Sequence, residues 1–380
     1  MMQSRIPLLV PDMPTADDLL PYLRRIDAAR WYSNFGPLCR ELEDALRSRF
    51  QVRNDAAVQL TSVSNCTLGL ELALQALDLA PGGRVLVPAL TFVATATAIA
   101  RAGLVPVICD VDPDNWMLTP RIAAEALAAC DAAAAMPVAT FGCPQDGAAW
   151  DAFTRETGCP VVIDAAAAFG NQWHVGRTPA VFSLHATKSF ASGEGGIVVS
   201  RDAYFVERIR QLSNFGINLD RDAPIPVGSV DRPGTNAKLS EYHAAIGLAN
   251  LGRWDSLSRA RIRLFRRYRE ALEGLPALAP RWQRAPDDMT RTLMCFRTGD
   301  AGLREAIELA CADRQIDTRR WYLPPLHRHP GFVNLPRMKN LEVAEAIADD
   351  LIGLPFHSQL DDAAIGRICA AVRCAAGPGA

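Results

Sequence analysis

The pattern of apolar and polar residues changes character along the chain. Leu42, Leu46 and Phe50 recur at helical spacing within residues 38–50. From residue 56 onward, the pattern becomes a series of short, continuous apolar runs, each followed by a turn and a helical segment. Continuous apolar strands that alternate with helices are typical of a mostly parallel sheet covered on both faces. The pattern therefore predicts an α/β fold.

Seven apolar runs supply the strands of this predicted sheet. The first five are residues 57–61, 85–88, 105–110, 135–139 and 160–164. A hairpin follows, in which a strand at 181–184 leads through Lys188 and a Gly-rich turn into a strand at 197–199. Ligands of such sheets bind at the carboxyl ends of the strands. Functional residues are therefore expected in the loops after these strands.

The two ends of the chain differ from this central part. Residues 1–20 contain several prolines and little periodicity, and we expect them to form an N-terminal arm. Residues 21–255 should then form a large domain, which begins with a helix near 20–29 and in which residues 234–241 open a later helix. Residues 256–380 should form a smaller C-terminal α+β domain. Its expected helices are an arginine-rich linking helix at 257–272 and two others at 303–312 and 363–372.

Composition and charge narrow the function classes. The 380 residues carry a formal net charge of −2, which argues against nucleic acid as a partner. We find no apolar run long enough to span a membrane and no signal-peptide pattern at the start. The ten cysteines are scattered without a Cys-x-x-Cys pair, and His327 and His329 have no cysteine nearby. We therefore expect reduced thiols, a cytoplasmic location and no metal site.

Lys188 is the first candidate for chemistry. The chain contains only three lysines, Lys188, Lys238 and Lys339, and nearly all its other basic residues are arginines. A lysine in a partly desolvated pocket can lose its proton, whereas an arginine cannot, and only a neutral amine attacks an aldehyde. Lys188 is therefore the candidate nucleophile. The alternative is a surface lysine that closes a strand.

Other strand ends carry groups that suit a charged, planar ligand. Asp164 ends a buried strand and could pair with a protonated pyridine nitrogen or simply cap a helix. The segment 64–67 opens a helix, so it could bind an anion, or Ser64 or Thr67 could merely cap it. Phe92 could stack on a planar ring or belong to the core, and Ser183 could reach a phosphate. Each of these signals is weak alone.

Together these segments resemble a known family. They occur in the same order as motifs of the DegT/StrS-type sugar aminotransferases, which are pyridoxal-phosphate enzymes of fold type I. The resemblance covers nearly the whole chain and is most specific around Lys188 and Asn236. The matching segments are residues 64–67, 87–95, 164–166, 183–188, 193–196, 234–241 and 354–355.

The resemblance implies roles for the candidate residues. Lys188 would hold the cofactor covalently and carry the proton that is exchanged during the reaction. Asp164 would pair with the pyridine nitrogen, and Phe92 would stack on the ring. The cofactor phosphate would be held by Ser183, Thr67 and the backbone of Cys66.

The resemblance also implies partners. Asn236 would reach the phosphate in the neighbouring subunit, which implies a homodimer with shared sites. Glutamate would donate the amino group, and a nucleotide-linked sugar would accept it. The residues expected around the sugar are Asn34, His185, Tyr322 and His327.

Two positions depart from the family pattern. Cys66 stands where glycine is common, which is acceptable if the backbone there is not left-handed. Ala167 stands where a glutamine commonly contacts the ring hydroxyl of the cofactor. That contact cannot exist here, so the hydroxyl would need another partner: the aldimine proton, a water or a nearby side chain. Asn171 and Gln172 are the closest such side chains in sequence.

The resemblance implies a transaminase that acts on a keto group of a nucleotide-linked deoxysugar for glycan or O-antigen type biosynthesis. The residues of the motifs at 234–238 and 163–168 favour amination at carbon 4 of a dTDP-4-keto-6-deoxyhexose. Amination of carbon 3 or of a cyclitol stays open, as does a non-catalytic regulator that binds the cofactor or a sugar. A related sugar dehydratase is disfavoured because such enzymes replace the lysine by histidine.

Overall fold

The computed structural model describes residues 4–275 and 278–377, and a central sheet dominates this part of the chain. Parallel bridges between the segments around Ala135 and Val161, and around Val138 and Asp164, join two hydrogen-bonded groups of strands into one layer. The strand order is β1-β7-β6-β5-β4-β2-β3, and only β7 runs antiparallel to its neighbours. The strands are β1 Gln59–Val63, β2 Arg84–Pro88, β3 Val105–Cys109, β4 Ala132–Ala135, β5 Ile163–Asp164, β6 Ala180–Ser183 and β7 Gly196–Ser200. The predicted mostly parallel α/β fold is confirmed.

Helices cover both faces of this sheet, and a second small sheet lies near the C-terminus. Two large apolar clusters lie on the two faces of the main sheet, and nearly all of their members are buried. The small sheet pairs β8 Met294–Arg297 with β9 Leu351–Leu354 in antiparallel fashion. The helices are α1 Ala16–Ala29, α2 Pro37–Gln51, α3 Cys66–Ala76, α4 Val93–Arg101, α5 Pro120–Ala129, α6 Gly147–Thr157, α7 Ala203–Ser213, α8 Glu241–Glu273, α9 Ala301–Ala312, α10 Glu342–Asp350 and α11 Asp362–Ala376.

The N-terminal arm is shorter than the sequence predicted. Helix α1 begins at Ala16, so the last residues assigned to the arm are helical. The Thr15 hydroxyl accepts a hydrogen bond from the Asp18 N–H, and the Asp18 carboxylate accepts one from the Thr15 N–H. This capping box starts the helix upstream of Pro21, which lies inside α1. The proline content misled the prediction because it suggested irregular chain.

Helix α8 joins what the sequence suggested were two helices. It runs for 33 residues from Glu241 to Glu273 and includes the predicted linking helix at 257–272. Its first half packs on the main core through Leu248 and Trp254. Its second half packs through Phe265 and Tyr268 on a separate cluster that contains the small sheet. This separate cluster supports the proposed small C-terminal domain, whose boundary would fall inside α8.

Two local features place the site. Gly196 brings β7 close to the start of α3, because a Cβ atom there would lie 2.9 Å from the backbone nitrogen of Cys66. Gly193 has a φ of +83°, which a glycine adopts without strain in the turn after Lys188. In the described ranges, 4–275 and 278–377, no helix is both long and apolar enough to cross a membrane.

Candidate active site

A cavity of about 790 Å³ opens at the carboxyl ends of β2, β5 and β6. Part of its wall comes from the loops after these strands, where the sequence placed functional residues. Eight of the predicted site residues line this cavity: Cys66, Thr67, Phe92, Asp164, Ser183, His185, Lys188 and Tyr322.

Lys188 lies in the turn between β6 and β7. Its backbone N–H donates to the His185 carbonyl at 2.9 Å, and the Ala186 N–H donates to the Gly193 carbonyl at 2.8 Å, which closes the turn. The side chain is half-buried along the cavity wall. Burial lowers the pKa of Lys188, while the nearby Cys66 and Asp164 oppose this effect. The lysine is therefore a cavity residue with a more accessible neutral amine, not a surface lysine.

Asp164 faces the same cavity from the end of β5. Burial raises the pKa of this carboxyl, whereas hydrogen bonds from Thr95 and Ala166 and the charge of Lys188 lower it. Its Oδ1 accepts the Ala166 N–H at 3.1 Å, and its Oδ2 accepts the Thr95 hydroxyl at 2.8 Å. Asp164 does not cap a helix, because the residues after it form a turn.

The first turn of α3 forms one wall of the cavity. Asn65, not Ser64 or Thr67, caps this helix, because its Oδ1 accepts the Leu68 N–H at 2.9 Å. The Thr67 hydroxyl is therefore not used for capping. Free N–H groups and the helix dipole make such a turn an anion-binding site. Ser183 is buried beside it, at the end of β6.

Cys66 fits its position in spite of the usual glycine. It is the first residue of α3 and has helical backbone geometry, so an L side chain causes no strain there. Its side chain is buried, and its Sγ lies 3.8 Å from the Val181 carbonyl oxygen.

Two neighbouring aromatic rings, those of Phe92 and Tyr322, line the cavity. Phe92 is 53% exposed and therefore is not a core residue. Tyr322 lies 6.4 Å from it, between ring centroids, and stacks on Phe141 at 4.9 Å. Burial raises the pKa of the Tyr322 phenol, which keeps it a neutral donor. The cavity therefore contains the exposed ring of Phe92 and the hydroxyl group of Tyr322.

His185 belongs to a small polar group near Lys188. Its Nδ1 lies 2.9 Å from the Thr187 hydroxyl, and its Nε2 lies 3.5 Å from the Glu194 carboxylate. All three residues line the cavity. Glu194 was not among the predicted site residues, although it stands in the Gly-rich turn that was.

Three predicted residues lie outside this cavity. Asn34 is exposed in the loop before α2, and Asn236 is exposed in the segment before α8. His327 is buried, and its Nε2 contacts the carboxylate of Glu345. The roles of these three residues stay predictions.

The compensation expected at Ala167 does not come from its sequence neighbours. Ala167 lines the cavity, as predicted, but the amide of Asn171 donates to the Gly142 and Thr290 carbonyls. The amide of Gln172 also donates to backbone carbonyls. Neither residue can therefore bind the ring hydroxyl of the cofactor in place of a glutamine at position 167. Sequence reasoning also missed residues that helices α3 and α4 and later segments bring to the cavity wall: Glu71, Arg101, Thr292, Arg319 and Trp321. It missed Thr95 of α4 as well, which does not line the cavity but binds Asp164.

A lysine amine, a buried carboxylate and a helix N-terminus around one cavity suit a cofactor that carries an aldehyde, a basic ring nitrogen and a phosphate. The fold and these residues define a pyridoxal-phosphate enzyme of fold type I.

The comparisons with known proteins agree. The profile of the DegT/DnrJ/EryC1/StrS aminotransferase family matches residues 15–373, and the chain belongs to this family. It is therefore a transaminase that depends on pyridoxal 5′-phosphate.

Individual relatives align with nearly the whole chain. The dTDP-4-amino-4,6-dideoxy-D-glucose transaminase of Shigella dysenteriae is 29% identical, with 98% of this chain and 99% of that protein aligned. A Mycobacterium tuberculosis protein without an activity in its name is 31% identical over 97% of this chain and 90% of its own length. The structure of DesI with its TDP-sugar product superposes with a TM-score of 0.86 at 30% identity, over 100% of this chain and 95% of DesI.

Proposed function

We propose that this transaminase moves the amino group of glutamate to a keto group of a nucleotide-linked deoxysugar. The proposed acceptor is carbon 4 of a dTDP-4-keto-6-deoxyhexose, and the product would serve glycan or O-antigen type biosynthesis. The cavity around Lys188 and Asp164 carries the proposal. The full-length relatives that are named for dTDP-sugar chemistry support the choice of acceptor.

Different residues of the chain would bind the cofactor and transfer the proton. Bound pyridoxal phosphate supplies an electron sink for the carbon that loses and gains a proton. Lys188 would hold its aldehyde carbon and then carry the proton on Nζ, and its lowered pKa supports this role. Asp164 would pair with the ring nitrogen. The start of α3, with Thr67 and Ser183, would hold the phosphate.

The sugar would occupy the part of the cavity on the side of His185 and Tyr322. Deoxysugars offer hydroxyl groups to hydrogen-bond and apolar edges to pack against aromatic rings. The His185, Thr187 and Glu194 group supplies donors and acceptors near Lys188, and Tyr322 supplies a neutral hydroxyl. We propose that these groups orient the keto carbon toward Lys188.

We further propose a homodimer in which each chain completes the site of the other. Large apolar side chains are exposed on one group of neighbouring segments, where Tyr32 stacks on Tyr242 and residues 217 and 230 form a bridge. Such patches favour protein contacts. The exposed residues are Trp31, Tyr32, Phe215, Leu219, Val227, Val230 and Tyr242.

Asn236 lies beside this surface in an orientation that suits the proposal. Its Oδ1 accepts a hydrogen bond from Lys238 Nζ at 2.7 Å. Its NH₂ group makes no hydrogen bond within residues 4–275 and 278–377, so it can donate to an acceptor from a second chain, such as a cofactor phosphate.

The ten cysteines are free thiols, which supports the proposal of a reducing, cytoplasmic setting.

The activity can be tested directly. The purified, cofactor-loaded protein is incubated with glutamate and a panel of acceptors: the dTDP-linked 4-keto-6-deoxyhexose, its 3-keto isomer, UDP-linked analogues and a keto-cyclitol. Products are identified by mass spectrometry and NMR, and 2-oxoglutarate is measured. We expect an amine at carbon 4 with the wild type and with Lys339→Ala, and none with Lys188→Ala.

Other outcomes of this experiment would favour one of the alternative functions. An amine at carbon 3 or on the cyclitol would reassign the acceptor within the family. Cofactor binding without turnover of any acceptor would favour the non-catalytic regulator. Borohydride reduction and peptide mapping should place the pyridoxyl group on Lys188, and its appearance on Lys238 would contradict the site.

A further inference from the structure

Two threonine hydroxyls connect in series to the carboxylate of Asp164. The Oγ1 atoms of Thr91 and Thr95 lie 2.7 Å apart, and Thr95 Oγ1 lies 2.8 Å from Asp164 Oδ2. All three residues are buried, with exposures of 2%, 0% and 4%. Thr91 precedes α4 and Thr95 lies in its first turn, whereas Asp164 ends β5, so tertiary packing alone brings them together.

The donors in this chain can be assigned from chemistry. An ionised carboxylate only accepts hydrogen bonds, and each threonine hydroxyl has one hydrogen. Thr95 therefore donates to Asp164 and accepts from Thr91. The chain runs in one direction, from Thr91 through Thr95 to the carboxylate, and hydrogen bonds in such a series strengthen one another.

Thr95 could have satisfied its hydroxyl locally, and a neighbour does so. Thr97, on the same helix, donates to the Val93 carbonyl at 2.8 Å. The comparable local acceptor for Thr95 is the Phe92 carbonyl, at the longer distance of 3.2 Å. The shorter contact goes to Asp164, and hydrogen bonds to a charged acceptor are the stronger kind.

The two oxygens of Asp164 are each held by one donor. Ala166 N–H binds Oδ1 and the Thr95 hydroxyl binds Oδ2, so the carboxylate plane is fixed while the side chain still faces the cavity. We propose that Thr95, oriented by Thr91, is a positioning residue that keeps Asp164 ionised and aimed at the cofactor's ring nitrogen. The proposal rests on the role assigned to Asp164 above. Burial raises the pKa of Asp164, so a donor that favours the charged form is needed there.

Three variants test this role. Thr95→Val keeps the shape and removes the hydroxyl, Thr95→Ser keeps the hydroxyl, and Thr97→Val removes a local hydrogen bond from the same helix. The dissociation constant of each apoprotein for pyridoxal phosphate is measured by absorbance titration, and circular dichroism checks the fold. We expect Thr95→Val to weaken binding roughly 10- to 100-fold, as for loss of a hydrogen bond to a charged group. Thr95→Ser and Thr97→Val should stay near wild type.

A second readout separates positioning from packing. In Thr95→Val the pKa of Asp164 should rise further, so the acid limb of the kcat/KM profile should move to higher pH. Thr91→Val should shift it in the same direction by less. If Thr95→Val binds the cofactor and titrates like Thr97→Val, the inference is overturned.

A further variant, Asp164→Asn, separates this inference from the site it rests on. A large loss of cofactor affinity in Asp164→Asn with no change in Thr95→Val would overturn only the role of Thr95. No change in Asp164→Asn would remove the role of Asp164 and the inference with it.

Discussion

At the scale of single residues, the site is built on two groups that burial pushes toward their neutral forms. Burial lowers the pKa of Lys188 and raises that of Asp164, while the opposite charge of each opposes the shift of the other. A partly neutral amine is what attack on an aldehyde requires. The hydrogen bonds from Thr95 and Ala166 then let Asp164 keep its charge beside that amine.

The lowered pKa of Lys188 predicts how the apoprotein captures its cofactor. The pKa falls below its ordinary value of 10.5, so the neutral fraction becomes large at a lower pH than for a free lysine. The rate of capture, followed by the visible absorbance of the bound cofactor, should rise with pH and level off below pH 10.5. Nα-acetyl-lysine is the control, and its rate should keep rising toward that pH. Coinciding profiles would contradict the lowered pKa.

Ala167 predicts a second titration effect. No glutamine side chain reaches the cofactor's ring hydroxyl from this position, and Asn171 and Gln172 are bound to the backbone. A glutamine introduced by Ala167→Gln would donate to that oxygen and reduce its basicity. The proton that the hydroxyl oxygen shares with the lysine nitrogen should then leave more easily. The visible absorbance band should therefore titrate with a midpoint at lower pH.

The control for Ala167→Gln is Ala167→Leu, which adds bulk without a donor and should not lower the midpoint. A structure of the glutamine variant is needed as well. If the glutamine contacts the hydroxyl while the midpoint stays at the wild-type value, the missing contact has little effect on the cofactor.

At the scale of elements, the positions of the strand ends could be predicted from the sequence, whereas the contacts between distant side chains could not. Asp164 ends an apolar run and Lys188 closely follows another, and both runs predict buried strands, so their position at one edge of the sheet could be predicted. Thr95 lies in a helix and meets Asp164 across 69 positions, which no local pattern encodes. The continuity of α8 was missed because its polar middle resembles a boundary between two helices.

The start of α8 also holds another helix in place. The buried carboxylate of Glu241 accepts the N–H groups of Leu38 and Cys39, at 2.8 and 2.9 Å, and so caps the N-terminus of α2. Gly36 permits this approach, since a Cβ atom there would lie 2.5 Å from Glu241 Cδ. The loop that carries Asn34 is thereby tied to the segment that carries Asn236.

Removal of this cap should destabilise the protein. Glu241→Ala leaves two N–H groups at a buried helix end without an acceptor, and we expect a loss of about 3 kcal/mol in the free energy of unfolding. Urea unfolding at a fixed protein concentration measures it. The control is Glu270→Ala, an exposed glutamate on the same helix. Equal midpoints for the two variants would show that the cap contributes nothing.

At the scale of the whole molecule, one chain leaves part of its predicted site unassembled. Asn34 and Asn236 lie outside the cavity, on segments that expose large apolar side chains. Two-fold symmetric dimers place the same surface of each chain against the other. A second copy would cover this surface and bring its Asn236 to a cavity that already contains Lys188 and Asp164. The proposal of shared sites follows from this division.

Mixed dimers test the sharing. Asn236→Ala and Lys188→Ala should each be inactive or nearly so, but a dimer with one chain of each has one site without lesions and one with both. If chains exchange at random, half the dimers are mixed, so activity should return to about a quarter of the wild-type value.

The matched control mixes Lys188→Ala with Asp164→Asn. Both residues line the cavity of one chain, so each site of that mixed dimer carries a lesion and nothing should return. If the first mixture regains no more activity than the control, with mixed dimers isolated by two different tags, Asn236 does not act across the interface.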